Sequence, residues 1–162
     1  MTLSASTDFA GRLAHELVRT RSDAILFTDR HGTIQFWNPG AERIFGFPAD
    51  QAVGRSLDII IPESLRARHW KAWAGAIETG RTRYGEGDLL SVPAIMGNGR
   101  RISVEFTIVM LRDNDGCVDG VVAILRDVTS RFEELRELRR QLTAARGDAK
   151  DSGGVDTTMS RD

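Results

Sequence analysis

His69 stands alone in ESLRARHWKAWAGAIETG (residues 63–80), a stretch with helical periodicity. Leu65, His69, Ala72, Trp73 and Ala76 share one face of that helix, while Arg66, Lys71 and Glu78 lie away from it. An imidazole on such a face can pack with its nitrogens satisfied by backbone carbonyls, move protons, or donate a lone pair to a metal. A low-dielectric setting favours the neutral ring that ligation needs. The small residues Ala72, Ala74, Gly75 and Ala76 leave room beside it for a flat group. Periodicity by itself leaves packing and ligation both open.

The other residues with chemistry to offer are dispersed. His15, His31 and His69 are too far apart to suggest a non-haem metal cluster, and the one cysteine, Cys117, excludes an internal disulfide and a multi-cysteine zinc site. There is no G-x-S-x-G, no Walker loop and no H-E-x-x-H, so an enzyme is not expected. A formal net charge of −1 in 162 residues gives no broad field for steering nucleic acid. Arg136, Arg139, Arg140 and Arg146 interleave with Glu133, Glu134 and Glu137, as on a solvated helix face, so direct nucleic-acid binding is not expected either. No apolar run resembles a signal peptide or a membrane span, and a reducing cytoplasm is the expected setting.

The elements that must position His69 can be placed by their punctuation. A flanking helix occupies residues 1–20, with Asp8 as its cap and Phe9, Leu13 and Leu17 at helical spacing. AILFTD and TIQFWN, joined by RHG, form a hairpin, and short helices follow in AERIFGF and PADQAVG. The helix of His69 runs from Pro62 to Gly80. Three β segments come next, around residues 84–96, 101–111 and 119–128. In the second of them Ile102, Val104, Phe106, Ile108 and Met110 alternate with outward residues. Residues 129–146 return to helix with Val128, Leu135 and Leu142 seven apart, a short coiled-coil pattern, and the polar tail 147–162 is expected to be disordered. Residues 21–128 are thus the expected folded domain.

The element order, together with FWNPGAERIFGF, the turn GNGRRISVEF and the exit RDVTSR, resembles a PAS domain over about residues 20–130. The resemblance implies an α+β fold, a five-stranded antiparallel sheet with helices over one face, flanked by N- and C-terminal helices. IIPESLRARHWKAW is similar, more narrowly, to the haem-binding PAS domains of oxygen-sensing histidine kinases and haem-regulated phosphodiesterases, in which a P-E-x-x-R-x-x-H-like helix supplies the proximal histidine; His69 falls on it. DFAGRLAHELVRTRSDAILF, the histidine helix and VPAI resemble the RcoM group of carbon-monoxide-responsive regulators.

What this implies is haem b ligated by His69, in a pocket lined by Leu65, Trp73, Leu89, Phe106, Ile108 and Ile124, with Leu90, Val122 and Met110 beside them. Arg83, with Arg81 beside it, is the candidate cation for the propionates. Leu89 matches the position of an oxygen-holding arginine, and an apolar residue there favours carbon monoxide over O2, with NO a further candidate. Met96 matches the displaceable sixth ligand of the RcoM group, with Met110 as the fallback. A homodimer that senses such a gas or redox state and signals through its flanking helices to a separate output protein or a transcriptional output completes the expectation. The rival readings are a cofactor-free PAS interaction module and a sensor of flavin or another small ligand. The region of the flavin-bonding cysteine motif, about residues 56–70, contains no cysteine.

Overall fold

The computed structural model describes residues 3–81 and 89–151. Helix α1 (Leu3–Val18) precedes strands β1 (Ala24–Asp29) and β2 (Ile34–Trp37), then helices α2 (Pro39–Phe45) and α3 (Ala49–Ala52). A 3-10 turn (Leu57–Ile59) leads to helix α4 (Glu63–Thr79). Strands β3 (Leu90–Ile95), β4 (Arg101–Arg112) and β5 (Val118–Asp127) follow, and then helix α5 (Thr129–Asp151). The strands form one five-stranded antiparallel sheet in the order β2-β1-β5-β4-β3. The α+β architecture and the alternation expected along β4 are both present: Ile102 and Val104 are buried on the helix-covered face.

The β1–β2 hairpin turns because Asp29 Oδ1 accepts the N–H groups of His31 and Thr33 and because Gly32 takes a positive φ of 79°. Asn38 then starts α2. Its Oδ1 accepts from Ala41 N and from Ile25 N, each at 2.8 Å, and its Nδ2 donates to the carbonyls of Thr20 and Asp23. One fully buried amide therefore ties the chain before β1, β1 itself and α2 together. Helix α2 ends at Gly46 in the left-handed conformation. Its Ile44 and Phe45 bury against Leu26, Ile34 and Trp37, with Ala52, Ile102 and Leu125 completing the main core.

Two helix ends and one stripe residue differ from expectation. Asp8 lies inside α1, where it pairs with Arg12 at 3.7 Å, rather than capping it. Val128 is buried and its N–H donates to Ser103 O, so it belongs to the sheet domain and not to a heptad stripe. Helix α5 continues to Asp151, past the expected end at 146. Gly147 costs a helix about 1 kcal/mol relative to alanine, and no proline follows to stop it. The rest of the tail lies outside the described residues. The sheet domain closes at Val128, and α5 forms a separate unit. Among the described residues no helix is long and apolar enough to cross a membrane.

Candidate functional site

Helix α4 has sound ends: Pro62 sets its entry, and Gly80, at a φ of 64°, closes it with its N–H on Ala76 O. Yet none of its 17 residues is buried. Instead it is held at a few polar points. Arg66 donates to the carbonyls of Ile61 and Asp58, Trp70 Nε1 donates to Asp58 Oδ1 at 2.8 Å, and Trp73 Nε1 donates to Arg30 O at 3.0 Å. At the far end Arg112 reaches from β4 to Gly80 O at 2.6 Å and to Gly116 O at 2.9 Å. The face of α4 stands off the sheet, and between the two lies a cavity of about 1100 Å³. That is just above the size usual for small-molecule and cofactor pockets, about 300–1,000 Å³.

The floor of the cavity is sheet: Leu26, Thr28, Leu90, Phe106, Ile108, Met110, Val121, Ala123 and Leu125. Thr28 is the one polar side chain among the described strand residues that line it, and its hydroxyl faces Val121 O at 3.4 Å. The roof is α4, with His69, Ala72, Trp73, Gly75, Ala76 and Ile77. Arg68, Lys71 and Arg81 add three exposed cations to the lining.

His69 is the outlier in this apolar lining. Its Nε2 is buried and, among the described residues, is the one buried side-chain nitrogen or oxygen with no hydrogen-bond partner. Burial pushes the imidazole below its ordinary value of 6.5, and the Asp58 carboxylate pulls weakly the other way. Burial therefore favours the neutral ring, with a lone pair or an N–H unspent in a residue of the cavity wall. Buried polar atoms are nearly always satisfied, so an orphan of this kind calls for a partner of its own.

The structure brings together part of the sequence-derived lining. His69, Trp73, Phe106 and Ile108 come together around the cavity, as does Met110. Leu89 and Ile124 do not. They lie on the opposite face of the sheet, in a shallow cleft with Asp23, Glu105, Thr107 and Arg126. Pairing explains this: Ile124 sits opposite the outward Thr107, and Ala123 sits opposite the inward Ile108. Leu90, not Leu89, is the inward leucine, while Leu89 is 62% exposed. The same one-residue correction replaces Val122 with Val121 and Ala123. Leu65 is half-buried on α4 but does not line the cavity. Met96 packs against the main core where β3 passes into its turn, its N–H on Arg100 O, and is also absent from the lining. Arg83 lies outside the described residues, and Arg81 is at the cavity. Sequence reasoning missed Asp58 and Trp70, whose contact joins a turn to a helix, and took Lys71 as pointing away.

A sheet order of 2-1-5-4-3 with helices over one face, an outgoing C-terminal helix and a cavity between sheet and long helix defines an α+β module of the PAS type. The PAS fold family model matches residues 18–133, and the chain belongs to the PAS family. A PAS domain from Colwellia psychrerythraea superposes with a TM-score of 0.65 at 21% identity, covering 75% of this chain and 98% of that one. Among curated proteins, the sensor protein FixL of Bradyrhizobium diazoefficiens is 40% identical over 53 residues, 33% of this chain and 10% of its own length. The oxygen sensor protein DosP of Escherichia coli is 28% identical over 112 residues, 69% of this chain and 14% of its own length. The chain thus spans a small part of these relatives.

Proposed function

We propose that this PAS domain is a haem b sensor of a diatomic gas, carbon monoxide foremost, with His69 as the protein ligand to iron. The observation that carries the reading is His69 itself, a residue that lines an apolar cavity of about 1100 Å³ and whose buried Nε2 has no hydrogen-bond partner. The residues present fit the group. Imidazole nitrogen is a common protein donor to haem iron, the cavity is of cofactor size, and Arg68, Lys71 and Arg81 offer charge for carboxylate arms. Haem, when bound, supplies the gas-binding and redox chemistry that no side chain here provides. The chain's own residues hold the imidazole neutral, exclude water with Phe106, Ile108, Val121 and Leu125, and offer no cationic donor from the described strand wall. A wall of that kind favours an apolar gas over O2, which is the role first expected of Leu89. Met110 takes over from Met96 as the thioether at the cavity.

The resemblance read from the histidine helix and VPAI motivates this choice, and similarity to an oxygen sensor supports gas sensing in general. We further propose that the domain signals without catalysing a reaction, as a cytoplasmic homodimer acting on an output protein. The exposed stripes Phe9, Leu13 and Leu17 on α1 and Phe132, Leu135, Leu138 and Leu142 on α5 support a paired state. The exposed free thiol of Cys117 suits a reducing compartment.

Protein from haem-replete cells is expected to be red, with a Soret band that moves on reduction and again under carbon monoxide. His69→Ala is expected to lose that specific spectrum while retaining the fold. Hemin absorption that is nonspecific in the wild type and unchanged by His69→Ala overturns the proposal. A colourless protein then favours an interaction module, and a yellow one a flavin sensor.

A further inference from the structure

The imidazole of His69 forms a three-ring cluster with two indoles, and each indole is fixed by its own Nε1 hydrogen bond. Trp70 meets the ring edge-on, with centroids 4.9 Å apart and planes at 82°. Trp73 lies 5.8 Å away at 31°, and the two indoles are 5.8 Å apart at 75°. Trp73 is anchored on the Arg30 carbonyl in the β1–β2 turn. Trp70 is anchored on the Asp58 carboxylate in the 3-10 turn, and Arg66 steadies that residue through its carbonyl and, at 3.8 Å, its carboxylate. The benzene ring of Trp70 also lies directly over Gly32, where a Cβ would overlap Cη2 and Cζ3.

These anchors matter because α4 has no buried residue to hold its cavity-facing side chains. A histidine there has several staggered rotamers open to it unless its neighbours exclude them. Asp58 and His69 sit on different elements; beyond the weak direct pull of the carboxylate's charge, the contact route between them runs through Trp70. We infer that Asp58 is a positioning residue for His69. It fixes the Trp70 indole by the 2.8 Å hydrogen bond, with the bare backbone of Gly32 as the seat, and the T-shaped contact with the indole then holds the imidazole in its place in the cavity wall. This rests on His69 being the ligating group of the function proposed above. Groups that orient a ligating imidazole contribute about 10–100-fold to metal affinity.

The test uses Asp58→Ala, Asp58→Asn and Trp70→Phe in the full chain, with hemin as the probe. In the hemin-free protein, NMR of the His69 ring is expected to show one set of signals in the wild type. Asp58→Ala and Trp70→Phe, which remove the acceptor and the donor respectively, are expected to multiply or broaden that set. Asp58→Asn keeps an acceptor oxygen and is expected to preserve it. The Trp73 indole N–H signal reports that the fold is intact. In hemin-loaded protein, transfer to a scavenger globin is expected to run about tenfold faster in Asp58→Ala and Trp70→Phe, and less than about threefold faster in Asp58→Asn. Unchanged His69 signals and an unchanged transfer rate in Asp58→Ala overturn the inference. Should Asp58→Ala fail to fold, Trp70→Phe decides the matter by the same two readings. A wild type that takes up no hemin defeats the haem reading, and the ring signals still decide whether Asp58 positions His69.

Discussion

Two helical regions cover one face of the same sheet, and they meet it differently. Helix α2 buries Gly40, Ala41, Ile44 and Phe45 in seven residues, whereas α4 buries none in 17. Leu26, Val104 and Leu125 belong both to the packed core and to the cavity lining, so the two regions share a floor. The difference is in what fills the space above it. Over one half Phe45 and Ile44 descend to the strands; over the other, α4 is kept at a distance by hydrogen bonds from Arg66, Trp70, Trp73 and Arg112. Proteins normally pack their interiors to crystal density. A helix tied in place above an apolar cavity supports the binding role proposed for this half, and the packed half is the platform it is built on.

The comparison breaks most plainly if truncation costs the same on both sides. Phe45→Ala removes a fully buried ring tilted against Trp37 at 5.4 Å, and is expected to cost about 3–5 kcal/mol in urea unfolding. Asn38→Ala comes next. It strips the acceptor from two backbone N–H groups, Ile25 and Ala41, and is expected to cost about 2–3 kcal/mol. Ile108→Ala enlarges a space that already exists instead of opening a new one, and only about 1 kcal/mol is expected in ligand-free protein. An Ile108→Ala cost equal to that of Phe45→Ala would mean the cavity half is packed in solution.

The same contrast explains what could be read in advance. The packed half announces itself through punctuation and alternation: Asn38-Pro39-Gly40 starts α2, Gly46 ends it, and β4 alternates so regularly that its inward face is unambiguous. His69 was legible because helical spacing aligns it with Trp73 and Ala76 and family resemblance supplies a use for it. The strand wall opposite was not. Val121, Val122, Ala123, Ile124 and Leu125 form a continuous apolar run, as do Leu89 and Leu90, and a period of two has no parity to read in such runs. Only the pairing with β4 decides it, which is why Leu89 and Ile124 were placed on the wrong face. Met96 was misplaced for a related reason: β3 ends at Ile95, and the turn that follows redirects its side chain. Asp58 and Trp70 are 12 residues apart on a turn and a helix, and no local pattern signals their bond.

The smallest expected effect is one of pH, and it belongs to the cavity half alone. Burial lowers the pKa of His69 from 6.5 in the folded chain, so on acidification the unfolded chain takes up a proton that the folded chain still refuses. The unfolded state then binds more protons, and stability must fall as pH falls. The loss begins near 6.5 and ends once pH drops below the lowered folded value, where both states are protonated. Urea midpoints measured from about pH 7.5 to about pH 5.5 are therefore expected to fall further for the wild type than for His69→Gln, which cannot titrate there. His15 and His31 are present in both proteins and cancel in the difference. The packed half turns on the amide of Asn38, which does not titrate, so the cost of Asn38→Ala is expected to stay constant over the same range. Parallel pH profiles for wild type and His69→Gln would show that water reaches the imidazole, and the neutral ring that ligation needs would then owe nothing to the cavity.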